Sequence, residues 1–218
     1  MKIKGVVFDF NGTLFYDTHI HNQAWDSFLE KYSLELDNEG KNQKIHGKNN
    51  EEILRNLFSD NLSKNEIKKL SIEKEDIYQS LCLENEMVLA PGAEEFLSFL
   101  DSKNIPFTIA TASDLYNLEF YFKYLDLGRY FNLSKIVYSN GKIKSKPNPE
   151  IFLTAMEILQ IEPKETLIFE DSTSGIKAAE NSDAGKIIIV NSTGEEYKQW
   201  NHDIVKSFEE VDKSLFQK

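Results

Sequence analysis

Short apolar segments that alternate with helical patterns constrain the fold of this chain more than any other feature of its sequence. The segments are rich in Val, Ile and Phe and almost free of polar residues, as expected when helices cover both faces of a sheet. They are Ile3 to Phe8, Pro106 to Ala110, Ile136 to Tyr138, Thr166 to Phe169 and Lys186 to Val190. Helical spacing is found at Ala93 to Leu100, Pro149 to Leu159 and Gly175 to Asn181. This alternation predicts an α/β fold with a Rossmann-like, doubly wound parallel sheet.

One segment, from about Tyr16 to Glu86, shows only helical periodicity. Within it, Ser63 and Glu66 have the spacing of a capping box, which predicts the start of a helix. A first strand, then a helical segment, then a return to alternation predicts a helical domain inserted into the sheet domain. We therefore expect a core of residues 1–15 and 87–218 and a helical cap of residues 16–86.

The charge and cysteine content of the chain argue against several classes of partner and compartment. A formal net charge of −11 would repel nucleic acid and anionic membranes, so we expect neither as a partner. No apolar run reaches the length of a membrane span. The single cysteine, Cys82, excludes an internal disulfide and fits a reducing compartment. We expect a cytoplasmic monomer whose partner is a small molecule.

Polar residues follow several predicted strands at their carboxyl ends. The first strand is followed by Asp9 and Asn11, the second by Thr111-Ala112-Ser113 and the fourth by Glu170-Asp171. In a parallel sheet these ends share one edge, where ligand sites form. Lys146, in a loop before Pro147, could reach the same edge. The alternative is that such residues only cap helices and form turns, but three clusters on three strands favour a common site.

The chemistry of these residues points to phosphoryl transfer. Clustered carboxylates repel one another unless they share a cation, and hard oxygen ligands suit Mg²⁺. An ionised Asp9 beside Mg²⁺ can attack phosphorus and form an aspartyl-phosphate. Hydroxyl groups and backbone amides would hold the phosphoryl oxygens, Gly12 would let the chain turn, and a lysine would offset the negative charge. The chain has no GxxxxGK[ST] loop, so nucleoside triphosphate chemistry of that kind is unsupported.

Four motifs carry a resemblance to a known family. They are Asp9-Phe10-Asn11-Gly12-Thr13-Leu14, Thr111-Ala112-Ser113, Lys146-Pro147 and Glu170-Asp171-Ser172. The chain resembles the haloacid dehalogenase-like hydrolase superfamily, and within it the β-phosphoglucomutase-like phosphatases. The resemblance implies a Rossmann-like core with a helical cap, and a small phosphorylated metabolite, such as a sugar phosphate, as the substrate.

The resemblance also implies roles for the motif residues. Asp9 would be the nucleophile, and Mg²⁺ would be held by Asp9, Asp171 and the backbone carbonyl of Asn11, with Glu170 as a supporting acid near the metal. Thr111 and Lys146 would bind the transferred phosphoryl group, with further contacts from Gly12, Thr13, Ala112 and Ser113.

In the cap, the resemblance points to substrate-binding residues at Thr18, His21, Gly47, Lys48 and Asn50. His21 matches a cap-facing histidine of β-phosphoglucomutases, although a packed surface histidine is an equal alternative. Asn50 stands where the mutases carry an arginine for the distal phosphate. That difference weakens a phosphohexomutase reading, which stays as an alternative.

Asn11 departs from the family pattern, because phosphatases carry a second aspartate there. That aspartate exchanges a proton with the leaving group and with water, which an amide cannot do near neutral pH. General acid–base catalysis is typically worth about 10²–10⁴-fold, so the sequence predicts that Asn11→Asp raises the rate by about 10²-fold or more.

Three accounts of Asn11 remain open on sequence grounds. The chain is a phosphatase with another proton carrier, such as His21, or with a good leaving group; it is a silent relative that binds a phosphorylated ligand; or Asn11 was introduced to trap an intermediate. The intact remaining motifs favour a hydrolase.

Overall fold

A computed structural model of the chain describes residues 2–45 and 48–216, and these form a single parallel sheet flanked by helices. The strands are β1 (Gly5–Phe8), β2 (Phe107–Thr111), β3 (Val137–Tyr138), β4 (Thr166–Glu170), β5 (Lys186–Val190) and β6 (Asp203–Val205). They are arranged in the order β3-β2-β1-β4-β5-β6, and every neighbouring pair is parallel. The predicted α/β class with a doubly wound parallel sheet is confirmed.

Helices fill the connections between the strands. Four of them lie in the predicted insertion: α1 (Thr18–Lys31), α2 (Asn38–Lys44), α3 (Asn50–Leu57) and α4 (Lys64–Leu83). The others are α5 (Ala93–Ser102), α6 (Leu115–Tyr124), α7 (Glu150–Leu159) and α8 (Thr173–Asn181). The predicted capping box at the start of α4 is formed, because Glu66 N–H donates to Ser63 Oγ at 3.3 Å and Ser63 N–H donates to Glu66 Oε2 at 2.8 Å. Within the described part of the insertion there is no strand, so the helical character predicted for this segment is confirmed.

The two faces of the sheet are buried in different hydrophobic clusters. Phe8 of β1 stacks on Phe169 of β4 with 5.2 Å between ring centroids, on the face that also packs against α5. Val7, the neighbour of Phe8, lies on the other face with Phe152 of α7 and Ile168. Helices therefore cover both faces of the sheet. Since β1 lies between β2 and β4 inside the sheet, Asp9 follows it at the centre of the carboxyl edge.

The helical insertion has a hydrophobic centre of its own, formed mainly by Trp25, Phe28, Ile53, Leu54 and Ile67. Other residues of α1 and α4 pack instead into the cluster of the sheet, among them Ile20 and Tyr78. None of the helices in the part of the chain that the structure describes combines the length and the hydrophobicity needed to span a bilayer.

Sequence reasoning did not predict α2, α6 or β6. Strand β6 is short, lies at the sheet edge and exposes two of its three residues, so it lacks the apolar run of the inner strands. Helix α6 begins after Asp114, whose side chain accepts a hydrogen bond from Asn117 N–H at 3.1 Å. Asp114 therefore caps a helix, which is the ordinary role of an aspartate at such a position.

Candidate active site

The carboxyl ends of β2, β1 and β4 place three predicted residues at one edge of the sheet. Thr111 ends β2, Asp9 directly follows β1, and Glu170 ends β4. These strands are neighbours, so the three side chains lie side by side. A cavity of about 560 Å³ opens above this edge and is lined from both the sheet and the helical insertion.

Three acids converge in this cavity. Asp9, Glu170 and Asp171 each offer a carboxylate oxygen, and these oxygens lie within 4.8 Å of one another. Lys146 Nζ donates to Asp9 Oδ1 and to Glu170 Oε1, each at 2.5 Å. The second oxygen of Glu170 accepts from Ser172 N–H at 2.7 Å. Three carboxylates around one ammonium leave an excess of negative charge in a buried place, and this donor set fits a divalent cation with oxygen ligands.

The pKa values of the acids reflect this shortage of positive charge. Burial, opposed by the charge of Lys146 and aided by that of Glu170, raises the pKa of Asp9 to about 7. Burial, then Glu170 and Asp9, raise the pKa of Asp171 well above its ordinary value. Burial acts to lower the pKa of Lys146, but the charges of Asp9 and Glu170 outweigh it, so that pKa lies above its ordinary value and the ammonium is retained.

Two glycines are required by the close approach of these acids. Gly12 has a φ of +78°, and a Cβ at that position would lie 2.2 Å from Asp171 Oδ2. A Cβ at Gly175, in the first turn of α8, would lie 1.7 Å from Glu170 Oε1. Each glycine thus admits a carboxylate that a larger residue would displace. Next to Gly12, Thr13 Oγ1 donates to Asp171 Oδ1 at 3.2 Å.

The segment after β2 lines the cavity beside Asp9 and contacts the side chain of Asn11. Ser113 Oγ donates to Asn11 Oδ1 at 2.6 Å, and Thr111 Oγ1 lies 3.5 Å from the same oxygen. Ser113 N–H donates to Thr111 Oγ1 at 3.1 Å, and Ala112 also lines the cavity. Asn11, Thr111 and Ser113 are therefore joined by hydrogen bonds, and they line the same cavity as Asp9.

Asp17, which sequence reasoning missed, is the residue that binds the amide of Asn11. Asn11 Nδ2 donates to Asp17 Oδ2 at 2.6 Å, and Gly12 N–H donates to Asp17 Oδ1 at 2.9 Å. The side chain of Asp17 is fully buried. Asp17 precedes α1, where an aspartate usually caps the helix, but it makes no capping hydrogen bond. The sequence signal was this acid three residues beyond the first motif.

His21 and Thr18 of α1 line the cavity from the cap side. The imidazole of His21 lies between two charged groups, with Nε2 at 3.3 Å from Asp17 Oδ2 and Nδ1 at 3.1 Å from Lys74 Nζ. Its ring stacks on Tyr78 with 3.9 Å between centroids. His21 is thus a partly buried side chain at the cavity wall whose two nitrogens already have partners.

A buried ion pair in α4, also missed from the sequence, contacts the same wall. Lys74 and Glu75 are 1% and 3% exposed, and Lys74 Nζ donates to Glu75 Oε1 at 2.9 Å. Asn50 donates to Glu75 Oε1 at 2.6 Å, and Asn117 of α6 donates to Glu75 Oε2 at 2.7 Å. The structure therefore brings Asn50 to the cavity but engages its amide with Glu75.

Lys48 and Gly47 are the remaining predicted cap residues. Lys48 lines the cavity, and its Nζ lies 3.5 Å from Glu52 in a partly exposed pair. Gly47 lies outside the described residues.

Comparison with known proteins agrees with the geometry. The family model described as haloacid dehalogenase-like hydrolase matches residues 3–183. A phosphorylated carbohydrates phosphatase from Thermotoga maritima is 30% identical over 190 residues, which cover 85% of this chain and 84% of that protein. A probable pseudouridine-5'-phosphatase from Drosophila melanogaster is 30% identical over 200 residues, which cover 87% of this chain and 82% of that protein.

Solved structures share the whole fold. A haloacid dehalogenase hydrolase of family IA, variant 3, from Entamoeba histolytica superposes with a TM-score of 0.86 at 29% identity, covering 98% of this chain and 97% of that one. A β-phosphoglucomutase from Clostridium difficile superposes with a TM-score of 0.75 at 25% identity, covering 99% and 96%.

Proposed function

The chain belongs to the haloacid dehalogenase-like hydrolase family, and we propose that it is a Mg²⁺-dependent phosphatase that hydrolyses a small phosphate monoester through an aspartyl-phosphate on Asp9. The observation that carries the proposal is the contact of Asp9, Glu170 and Lys146 at the centre of the carboxyl edge. The carboxylate of Asp9, the ammonium of Lys146 and the hydroxyl groups of Thr111 and Ser113 thus border a cavity of metabolite size.

In the proposed mechanism Lys146 holds Asp9 Oδ1, so that the other carboxylate oxygen attacks phosphorus. The bond from phosphorus to the leaving alkoxide breaks, and that oxygen takes up a proton. Water then attacks the same phosphorus, which releases inorganic phosphate and regenerates the Asp9 carboxylate. Thr111, Ser113 and the amides after Gly12 would orient the phosphoryl oxygens, and Lys146 would offset their charge.

The acid cluster would hold the metal ion. The carboxylates of Asp9 and Asp171 and the backbone carbonyl of Asn11 are the proposed Mg²⁺ ligands. Glu170, whose two oxygens bind Lys146 and Ser172, would support the site as a neighbouring acid. When bound, Mg²⁺ supplies the positive charge that allows a phosphate to lie beside these carboxylates.

Asn11 is not the acid that protonates the leaving group, because an amide does not exchange a proton near neutral pH. Its Nδ2 donates instead to Asp17 and to Tyr121, at 2.6 and 2.9 Å. His21 is the proposed proton carrier, since it lines the same cavity and an imidazole, unlike an amide, has a ring nitrogen that can accept and release a proton.

The cap wall supports a hydroxylated substrate. Thr18, Asn49 and Ser71 of the insertion are neutral polar residues that line the cavity, and the Thermotoga maritima relative is named for phosphorylated carbohydrates. A sugar phosphate or a related polyol phosphate is therefore the proposed substrate class. A phosphohexomutase is the second candidate, favoured by the likeness to β-phosphoglucomutase and disfavoured by Asn50, which offers an amide already bound to Glu75 where a second phosphate needs a cation.

A panel of phosphorylated metabolites, assayed for phosphate release with and without Mg²⁺, tests the proposal. We expect hydrolysis of one or more sugar or polyol phosphates that requires Mg²⁺ and is lost in Asp9→Asn. Saturable binding of these esters without phosphate release would favour a silent, ligand-binding relative. Isomerised sugar phosphate without phosphate release would favour a mutase.

A further inference from the structure

Asn11 and Asp17 belong to a closed ring of hydrogen bonds with two buried tyrosines. Asn11 Nδ2 donates to Asp17 Oδ2 at 2.6 Å and to the hydroxyl of Tyr121 at 2.9 Å. The hydroxyl of Tyr121 donates to that of Tyr78 at 3.1 Å, and Tyr78 donates to Asp17 Oδ2. Both tyrosines are fully buried. The ring therefore has one group that only donates, one that only accepts, and two hydroxyls that do both.

This ring fixes how the amide of Asn11 is oriented. A carboxylate can only accept hydrogen bonds when ionised, so Asp17 requires the NH₂ group of Asn11 to face it. The amide oxygen of Asn11 then faces Ser113, which donates to it at 2.6 Å. Without Asp17, either end of the amide could face Ser113, since a hydroxyl both donates and accepts.

We propose that Asp17 and Asn11 are an exchanged acid–amide pair, in which the second carboxylate of the site stands at position 17 and acts as the positioning residue for Asn11. The inference rests on the proposed phosphatase function for its catalytic part. Asp17 is enclosed and does not line the cavity, so it acts through Asn11 and not by touching the substrate.

The ring can run in the opposite direction with the acid and the amide exchanged. With Asp at position 11 and Asn at position 17, the new amide donates to position 11 and to Tyr78. Tyr78 then donates to Tyr121, and Tyr121 donates to the acid at position 11. All four hydrogen bonds persist, because each hydroxyl only reverses its direction. Gly12 N–H keeps an acceptor, since an asparagine at position 17 retains one carbonyl oxygen. Only the contact of His21 with position 17 changes, because its Nε2 faces a carboxylate in the native protein and would face an amide in the exchanged one.

Either single substitution breaks this balance. Asn11→Asp places two carboxylates in contact inside a buried ring, and Asp17→Asn places two amides in contact. The sequence alone predicted that Asn11→Asp would raise the rate, but the ring requires the change at position 17 as well.

The test is a double-mutant cycle of Asn11→Asp, Asp17→Asn and the exchange variant that carries both, with melting temperature, kcat and KM measured on a generic ester such as p-nitrophenyl phosphate. We expect Asn11→Asp to lower Tm by at least about 5 °C, because it buries an unpaired charge. We expect Asp17→Asn to lower kcat by about 10-fold or more, the value of a hydrogen bond to a charged group. The exchange variant should regain the native Tm to within about 2 °C and have a kcat about 10²-fold above native.

Asp37→Asn is the matched control. Asp37 also precedes a helix, and its side chain accepts from Gly40 N–H at 2.7 Å on the surface. An asparagine can replace it as a cap, so this control should keep the native Tm and kcat.

Two results would overturn the exchange. One is that Asn11→Asp alone matches the exchange variant in Tm and kcat, which would show that the residue at position 17 affects neither quantity. The other is an exchange variant that is destabilised by the sum of the two single changes, or that fails to fold, because the reversed ring would then not form. Coupling in Tm without phosphate release by any variant would leave the ring intact and reject the proposed function. Hydrolysis by the native protein, without coupling between positions 11 and 17, would reject the exchange and leave the proposed function intact.

Discussion

At the scale of single residues, this site is organised by which charge each side chain meets. Lys146 joins two acids that would otherwise repel, Asp17 sets the orientation of Asn11, and Lys74 keeps Glu75 ionised in a buried wall. Lys146 is distant in sequence from both of its acids, so that contact is a product of the fold. All of these pairs are buried or partly buried, and the removal of one partner should have a larger effect than the loss of a surface contact.

Lys146→Met should lower kcat by about 10²–10³-fold, because it removes the cation that faces both Asp9 and the transferred phosphoryl group. Lys164→Met is the matched control, since Lys164 forms an exposed pair with Asp183 at 3.2 Å and such pairs contribute about 0–1 kcal/mol. Steady-state kinetics on the best ester from the panel would check this. Equal kcat values in the two variants would show that Lys146 takes no part in the proposed reaction.

The buried pair in α4 gives the protein a pH dependence of stability. Burial acts to raise the pKa of Glu75, but Lys74, His21 and the amides of Asn50 and Asn117 outweigh it and hold that pKa below its ordinary value. A carboxyl with a lowered folded-state pKa stabilises the protein above its unfolded pKa of about 4.3. This stability is lost as the pH falls through the folded-state pKa.

Glu75→Gln should therefore lower the free energy of unfolding by about 3–5 kcal/mol at pH 7, because Lys74 loses its buried counterion. The difference from the native protein should shrink as the pH is lowered from 5 towards 3, because the native protein then loses the contribution of Glu75. Urea unfolding at several pH values measures both effects. A difference that stays constant over this range would show that Glu75 is not ionised in the folded state.

At the scale of elements, the site depends on how each strand passes into the following segment. Strand β4 ends in Glu170, and α8 begins three residues later with Ser172 as its cap, so that an acid and a helix terminus must share very little space. Gly175 makes this possible because it presents no side chain to Glu170. The motif around Glu170 is thus a packing requirement as much as a chemical one.

Gly175→Ala should push Glu170 away from Lys146 and lower both Tm and kcat, with a cost in stability of about 1–3 kcal/mol as for overpacking elsewhere. Gly128→Ala is the control, since a Cβ there would meet only Phe122 Cδ1 at 4.0 Å and the residue has no positive φ. Thermal unfolding and kinetics of the two variants would be compared. A Gly175→Ala protein as stable and active as the control would contradict the packing argument.

At the scale of the whole molecule, the cavity lies between two parts of the chain, which meet through apolar residues such as Ile20 and Tyr78 and through polar contacts. Asn49 of the insertion donates to Ser145 Oγ at 2.5 Å, and Asn117 of α6 donates to Glu75 of α4. We propose that residues 16–86 act as a cap on a core of residues 1–15 and 87–218. The separate hydrophobic cluster of the insertion supports this division.

Ser145→Ala should then raise KM by about 2–10-fold, because closure over the substrate loses one hydrogen bond worth about 0.5–1.5 kcal/mol. Tm should stay within about 2 °C of native, since Ser145 is not part of either hydrophobic cluster. Kinetics and thermal unfolding of this variant test the proposal together. A large loss of Tm with unchanged KM would mean that the contact supports the fold and not closure.

The sequence by itself determined the architecture and the position of the site. Apolar strands in alternation with helices require a covered parallel sheet, and residues after such strands lie at one edge because of the geometry of parallel strands. Asp9, Thr111, Glu170 and Asp171 could be placed in this way. Elements without such a signal were missed, as in β6, where the edge position removes the apolar pattern.

Only the tertiary structure decided which polar groups meet across the cavity. Asp17 looks like a helix cap and Lys74 like a solvated lysine when their neighbours in sequence are considered. Their roles follow from Asn11, Tyr78, Tyr121 and His21, which lie in the segment after β1, in α4, in α6 and in α1. Backbone periodicity specifies the direction of an element, whereas a hydrogen-bond ring depends on distances between elements that are distant along the chain.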